Sequence, residues 1–346
     1  MTDLPTAALP PAGRRPRSFW IALVLGCLLL CSLAVTASLL ALRNSTLGGE
    51  RPFEEETIAG ETDAAPRILD IPLVGTINDV DAGGRRSMVA TIIAQLRQAR
   101  TDARIQGVLI EMNTPGGGIT ASDVLYHEVD RFRAERKIPV VVLCDDVTAS
   151  GGYYVAMAAD HIMAHETSVV GSIGVIAQIM NVQGLLKTVG VQVNVIKSQR
   201  ADGSESFKDI GSPFREMKPA ERAMMQDMIQ KMWSRFVDVV ATGRKGKLTR
   251  PQVEDLADGR VWTGRQARDL ALVDSLGYQD DALRKVMELA HVEHARLVRY
   301  RRPFSLFGGG LFGARWGEPD VSALVEQALD PAVSTSPHLM YLWTIR

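Results

Sequence analysis

The stretch that decides the fold is IQGVLIEMNTPGGGIT, residues 105–120. It begins with an apolar run, Ile105–Met112, which is typical of a buried strand. Three consecutive glycines, Gly116–Gly118, follow the strand, and an amphipathic pattern over residues 120–136 predicts a helix directly after them. A strand, a glycine turn and a helix in this order form one unit of a parallel sheet covered by helices.

The same alternation continues on both sides of this unit. Further strands are predicted at Ile68–Ile77, Ile138–Leu143, His161–Ala164 and Val191–Ile196, and further helices over residues 87–100, 150–159 and 181–189. The pattern predicts an α/β fold with a mostly parallel sheet. After Pro213 a long amphipathic helix is predicted over residues 218–242, and its methionine-rich stripe is expected in a core or a subunit interface.

Composition excludes several classes of protein. The 346 residues are 46% hydrophobic, which is enough to bury a large core and excludes wholesale disorder. A net charge of -1 gives no basic surplus for nucleic-acid binding. Three cysteines are too few for a disulfide framework or a thiolate zinc site.

A membrane anchor is predicted near the N-terminus. No charged side chain occurs from Phe19 to Leu42, and about 24 helical residues are enough to cross a bilayer. The positive-inside rule then assigns residues 1–18 to the cytoplasm and the chain after residue 42 to the outside. A cleaved signal peptide is the alternative, although its apolar region would be shorter. Arginines precede the apolar stretch and glutamates follow it: Arg14, Arg15 and Arg17, then Glu50, Glu54, Glu55 and Glu56.

The part beyond the anchor is predicted to have three sections. Residues 43–66 lack helical or strand periodicity and indicate a linker. Residues 67–300 carry the alternating strands and helices and form the main domain. Residues 301–346 become rich in glycine and proline and predict a weakly ordered tail with one short helix near Val321–Leu329.

The glycine run is the first candidate for chemistry. Gly116, Gly117 and Gly118 let the backbone approach a ligand closely and expose their N–H groups. Beside a helix N-terminus, such groups suit a phosphate or a developing oxyanion. The run lacks both nucleotide-binding glycine patterns, and a tight structural turn is the other interpretation.

Ser150 is the second candidate, in the stretch TASGGYY at residues 148–154. A serine at a helix N-terminus is usually only an N-cap. Here it is followed by Gly151 and Gly152, and its strand ends at the same sheet edge as the first glycine loop. Ser150 is therefore a possible nucleophile, with N–H groups of Gly151 and of Gly116 or Gly117 as oxyanion donors.

A serine nucleophile needs a base. No histidine has a glycine or turn context that suggests a catalytic position, and the order His161-x-x-x-His165-Glu166 is not the zinc-peptidase motif. Lysine is the other possible base, when desolvation leaves its amine neutral. Lys197 and Lys208 are the candidates, although each alone is typical of a surface lysine.

Taken together, these motifs resemble the signal peptide peptidase A family in its half-length bacterial form. The resemblance spans about residues 67–290, and residues 301–346 fall outside it. The matching segments are NTPGGG at 113–118, ASGGYY at 149–154, GSIGV at 171–175, KDIGSP at 208–213, REM at 215–217 and DGRVWTG at 258–264.

The resemblance implies a fold shared with the Clp protease and crotonase, and a serine/lysine dyad. Carried over, Ser150 is the nucleophile and Lys208 the general base. The Gly151 amide and that of Gly116 or Gly117 would form the oxyanion hole, and Ser172 would orient the lysine. Residues 199–207 form a longer polar insert than the family carries, so Lys197 stays an alternative base.

The same resemblance implies a homo-oligomer in which neighbouring subunits supply the two members of the dyad. The substrates implied are peptides, namely remnant signal peptides and misfolded exported proteins, with no cofactor, metal or nucleic acid. The chain would be a single-pass protein of the bacterial inner membrane with an extracytoplasmic catalytic domain. A crotonase-type acyl-CoA enzyme and a non-catalytic anchored scaffold are the alternatives.

Overall fold

The computed structural model describes residues 18, 20, 25–26, 28–33, 35–36, 53–60, 66–79, 87–199, 201–202, 206–302 and 338–342. The chain divides into two units, Met1–Pro52 and Phe53–Arg346. In the first unit the described residues are helical. No helix formed by described residues has both the length and the apolar character that membrane crossing requires. The predicted cytoplasmic tail and much of the predicted anchor lie outside the described residues.

A nine-stranded sheet forms the centre of the second unit. Its main path places β1 (Glu54–Ala59), β11 (Arg296–Arg301), β2 (Arg67–Val74), β3 (Ile105–Thr114), β5 (Val140–Ala149), β6 (His161–Ala164) and β10 (Ser275–Leu276) side by side. All neighbours from β11 to β10 are parallel, and β1 is antiparallel to β11. The predicted mixed α/β fold with a mainly parallel sheet is confirmed.

Short strands extend the sheet at the end that carries the glycine turns. β7 (Val169–Gly171) pairs parallel to the end of β5, and β9 (Val261–Thr263) pairs antiparallel to β7. A separate three-stranded sheet consists of β4 (Gly116–Gly118), β12 (His338–Leu342) and β8 (Ile176–Gln178).

Eight helices surround these sheets in the described part of the unit. They are α1 (Met88–Thr101), α2 (Ile119–Arg136), α3 (Gly151–Ala156), α4 (Gln183–Thr188), α5 (Pro219–Gly243), α6 (Arg250–Leu256), α7 (Gly264–Asp269) and α8 (Gln279–Leu289). The sequence predicted α1 to α5 with boundaries close to these.

Both faces of the central strands are buried, which explains their continuous apolar sequences. Along β2 the side chains of Leu69 and Ile71 join a large core with α1, α2, α3 and α5. Ile68 points to the opposite face and packs with a smaller cluster that includes Val286 of α8. The sheet therefore holds the ends of β3 and β5, where the glycine turns begin, in a rigid position.

Three segments differ from the sequence-based expectation. The prediction of a strand at Val191–Ile196 is wrong, because these residues have no strand partner and alternate valines are exposed. Strand β1 lies inside the segment predicted as a linker, where Glu55 binds Arg67 and Arg296. Strand β12 lies inside the predicted C-terminal tail. The helix expected near residues 321–329 lies outside the described residues.

Candidate active site

Ser150 occupies a sharp turn between β5 and α3. Its backbone is left-handed, with φ 53° and ψ -117°, a conformation that costs a non-glycine residue about 1–3 kcal/mol. Its N–H donates to the Gly171 carbonyl at 2.7 Å, and its carbonyl accepts from the Tyr154 N–H at 2.9 Å. The side chain makes no capping bond to α3. The backbone is therefore fixed, and the hydroxyl is not used as a cap.

The glycines of β4 lie directly beside this turn. A Cβ added to Gly151 would stand 3.2 Å from the Gly117 nitrogen, so the two glycines are close neighbours. The Gly116 N–H already donates to Thr114 Oγ1 at 3.1 Å, and the Gly118 N–H donates to the Ile77 carbonyl at 2.9 Å. The N–H of the middle glycine, Gly117, faces the other side of the strand from the Gly118 N–H, because backbone groups alternate along a strand.

Close packing also explains why these positions are glycines. A Cβ on Gly117 would lie 2.0 Å from the Ile77 carbonyl oxygen, and one on Gly151 would lie 2.3 Å from Ser122 Oγ. A Cβ on Gly152 would lie 2.5 Å from the Thr114 side chain. Close packing therefore requires glycine at these positions, and this requirement is compatible with a role of their N–H groups in an oxyanion hole.

Ser172 lies one residue after the carbonyl that holds Ser150. It is buried and also left-handed, with φ 52°, and its N–H donates to the Arg260 carbonyl at 2.8 Å. Because the Gly171 carbonyl accepts from the Ser150 N–H, the backbone on the N-terminal side of Ser172 is tied to the Ser150 turn.

Lys208 lies in a turn before α5, and its side chain is exposed. Within the described residues, no hydrogen bond or ion pair joins Lys208 to Ser150. Lys197 lies elsewhere in the same region and places its Nζ 2.5 Å from Asp209 Oδ1. The carboxylate of Asp209 also accepts from Arg215 Nε at 2.7 Å.

Arg215 ties this region to the start of α5. Its guanidinium donates to both carboxylate oxygens of Glu221, at 2.8 and 2.5 Å, and Glu221 is 1% exposed. The Arg215 side chain lowers the pKa of Asp209 and of Glu221 below their usual values, because both carboxylates accept its hydrogen bonds. The sequence pattern gave no sign of this network, since its four members are spread over 25 residues.

Two histidines, His161 and His165, have structural partners. His161 Nε2 lies 2.8 Å from Ser275 Oγ, and burial lowers the His161 pKa. His165 contacts the Gly277 carbonyl at 2.9 Å and Asp145 at 3.4 Å. Over the described ranges, no group of His, Cys, Asp and Glu could hold a metal ion.

Two cavities border α5. One, of about 360 Å³, is mainly apolar and lies between the start of α2, Tyr154 and the methionine face of α5. The other, of about 500 Å³, lies between residues 177–181, residues 211–217 and the first turns of α5. The smaller cavity is lined by Ile119, Thr120, Asp123, Tyr154, Met228, Lys231, Met232 and Arg235.

An exposed apolar surface covers the segment between β8 and α5. Ile196 is 99% exposed, and the sequence pattern alone did not reveal this surface because it was assigned to a strand and a helix. Exposed apolar side chains that form a patch often mark a site of interaction with another protein or with a membrane. The surface consists of Ile176, Met180, Leu185, Val189, Val191, Val193, Val195, Ile196, Phe207 and Phe214.

Comparison with known proteins shows which family the chain belongs to. The model of peptidase family S49 matches residues 133–293. A protein of Enterococcus faecium named "Putative signal peptide peptidase SppA" is 32% identical over 279 residues, which are 80% of this chain and 78% of that protein.

Other relatives match over smaller parts of their length. "Protease 4" of Salmonella typhi is 37% identical over 211 residues, which are 61% of this chain and 32% of that protein. A protein of Methanocaldococcus jannaschii named as a "Putative protease" is 39% identical over 199 residues, and the match spans 61% of it. With a family match over residues 133–293 and a relative covered over most of its length, the chain belongs to peptidase family S49.

Proposed function

We propose that this chain is a membrane-anchored serine endopeptidase in which Ser150 is the nucleophile and Lys208 the general base. The observation that carries the proposal is the strained Ser150 turn, which lies beside the amide of Gly117. A left-handed serine whose side chain does not cap its helix is hard to explain by structure alone. The Gly117 and Gly151 amides would form the oxyanion hole, since the Gly116 amide is bonded to Thr114.

The chemistry proceeds in two stages. The Ser150 oxygen attacks the peptide carbonyl carbon, and its proton moves to the neutral amine of Lys208. The oxyanion accepts from Gly117 and Gly151, the C–N bond breaks, and the lysine proton goes to the leaving amine. Water then attacks the acyl-enzyme, gives a proton to Lys208, and releases the acid while Ser150 regains its hydrogen.

As the general base, Lys208 is favoured over Lys197 because Lys197 is engaged in an ion pair with Asp209. The Lys197 Nζ already donates a hydrogen bond to Asp209, so it is held by this carboxylate and is not free to approach Ser150. Lys208 has no such partner among the described contacts, but its exposure in one chain would leave it hydrated. A base at this position needs a neighbour to exclude water from it.

A homo-oligomer supplies that neighbour. The exposed apolar surface from Ile176 to Phe214 includes Phe207, which directly precedes Lys208. Burying this surface against a second copy would cover the lysine and could bring it to the Ser150 of that copy. We therefore propose a dyad shared between subunits, with Ser172 orienting the lysine.

The proposed substrates are apolar peptides, including remnant signal peptides and misfolded exported proteins. The mainly apolar cavity beside α2 offers a place for aliphatic side chains. The apolar stretch at residues 19–42 would hold the enzyme in the bacterial inner membrane, with the peptidase domain on the extracytoplasmic side. The fold proposed for this domain is that of the Clp protease and crotonase.

Covalent labelling tests the nucleophile. The detergent-solubilised chain is treated with a serine-directed phosphonate, and the adduct is located by mass spectrometry. We expect the label on Ser150, with none in Ser150→Ala. An active preparation that is labelled elsewhere, or not at all, would refute the assignment. A crotonase-type enzyme or a scaffold would show no such labelling.

A further inference from the structure

A buried hydroxyl of α2, that of Ser122, lies against the turn that carries the proposed nucleophile. The Ser122 side chain is fully buried, and its Oγ donates to the Gly118 carbonyl at 2.9 Å. A Cβ added to Gly151 would stand 2.3 Å from this oxygen and 3.3 Å from the Ser122 Cβ. One side chain therefore contacts both the glycine strand β4 and the first residue of α3.

The same contact lies beside the amide of Gly117. The Cβ position of Gly151 that meets Ser122 is also 3.2 Å from the Gly117 nitrogen. Ile77 holds β4 through the Gly116 carbonyl at 2.8 Å and the Gly118 N–H at 2.9 Å. Ser122 adds a link from β4 to the start of α3. The two proposed oxyanion donors, Gly117 and Gly151, lie on the two segments that this link joins.

Helix stability alone gives no reason for a serine at position 122. Serines in helices commonly bond the carbonyl four residues earlier, as Ser122 does. Gly118 is the N-cap of α2, however, and the carbonyl of an N-cap already accepts the first hydrogen bond of the helix. Alanine is a better helix former and would bury no polar group here. The contact with Gly151 is what distinguishes this serine from an ordinary helical one.

We propose that Ser122 is a positioning residue of the oxyanion hole, which fixes the separation between the Gly117 and Gly151 amides. The inference rests on the proposed peptidase function. Oxyanion donors act at about 2.7–3.1 Å from the developing charge, and the loss of one donor typically lowers kcat about 10²–10³-fold. Ser122→Ala leaves both donors in place but opens a gap beside Gly151. Because the donors are then misplaced rather than removed, we expect a smaller loss, of about tenfold.

The kinetics of phosphonate labelling at Ser150 test the proposal, because the oxygen of the tetrahedral adduct occupies the oxyanion hole. In Ser122→Ala the maximal labelling rate should fall about tenfold, and the half-saturating phosphonate concentration should stay unchanged. Ser168→Ala is the matched control, since Ser168 is also buried and its Oγ donates to the Cys144 carbonyl at 2.8 Å. It should be labelled at the wild-type rate. A purely structural role for Ser122 would lower Tm and leave the maximal labelling rate unchanged.

Hydrogen exchange gives a second readout that needs no catalysis. Mass spectrometry of a peptide that contains residues 114–118 should show faster amide exchange in Ser122→Ala than in Ser168→Ala, because β4 has lost one of its holds. An unchanged labelling rate in Ser122→Ala would overturn the proposal, as would equal losses in the two variants or equal exchange. If the wild-type chain is not labelled at Ser150, the peptidase mechanism fails, while the exchange comparison still tests the link between β4 and α3.

Discussion

The Nζ of Lys197 lies 2.5 Å from a carboxylate oxygen of Asp209, the residue that directly follows Lys208. Lys197, one of the two candidate bases, is therefore engaged in an ion pair, whereas Lys208, the other candidate, takes no part in that pair. This contact gives a physical reason to choose between two lysines that the sequence alone leaves as alternatives.

We expect Lys208→Ala to lower kcat/KM by at least about 10²-fold, because a general base typically contributes 10²–10⁴. Lys197→Ala removes an ion pair and should leave most of the activity. Both variants are assayed on a fluorogenic apolar peptide with matched protein concentrations. An inactive Lys197→Ala combined with a normal Lys208→Ala would show that the base has been misassigned.

A dyad shared between subunits can be tested by mixing two inactive variants. Ser150→Ala and Lys208→Ala are unfolded together, refolded at equal amounts and assayed. In a ring with head-to-tail contacts, about a quarter of the interfaces would pair an intact serine with an intact lysine. We expect about a quarter of the wild-type activity, and no recovery when the variants are mixed after assembly. A dyad within one chain would give no activity in either mixture.

Arg215→Met should destabilise the region around Lys208. The change leaves the buried carboxylate of Glu221 without its charged partner, although the Lys218 N–H still donates to it, and loss of a buried charge partner typically costs about 3–5 kcal/mol. We expect a lower Tm and a lower kcat, because Asp209 loses its tie to α5 at the same time. The control is Arg268→Met on α7, whose guanidinium contacts the neighbouring Asp269 at the surface. Equal Tm values for the two variants would contradict a structural role for the Arg215 network.

Asp70 predicts a pH dependence of stability. It is fully buried, and desolvation together with nearby Glu111 raises its pKa from 3.8 to about 6, although Arg299 opposes the shift. The folded state thus favours the neutral acid. Its stabilising contribution is complete below pH 3.8 and is lost as the pH rises through about 6.

The comparison that isolates this effect is with Asp70→Asn, which stays neutral. The free energy of unfolding of the wild-type chain, minus that of Asp70→Asn, should fall by up to about 3 kcal/mol between about pH 4 and pH 7. Urea unfolding at constant protein concentration measures it. A difference that rises with pH would mean that the ion pair with Arg299 dominates the environment of Asp70.

Much of the central architecture could be predicted from sequence. Strands β2, β3, β5 and β6 are apolar on both faces, and glycine turns follow β3 and β5, so the hydrophobic pattern was sufficient to predict them. The placement of Ser150 beside the glycines of β4 also followed, because parallel strands end at one sheet edge. From sequence, Lys208 could be preferred to Lys197 only through the resemblance, and its role as base stays a prediction.

Other features depend on contacts between distant segments, which local patterns do not contain. Strand β1 has three consecutive glutamates and gave no strand signal, yet arginines of β2 and β11 hold it at the sheet edge. Strand β12 pairs with segments more than 150 residues away in sequence. The alternating valines at 191–196 predicted a strand, but these residues pair with no other strand and their side chains are exposed.

The left-handed backbone of Ser150 limits which nucleophilic side chains this position can accommodate. Threonine carries a hydroxyl of equal chemical competence, but branching at Cβ is poorly tolerated at φ 53°. Cysteine has no such branch and could replace serine without reshaping the corner. The backbone conformation thus restricts the nucleophile at position 150 to side chains that are unbranched at Cβ, independently of the substrate.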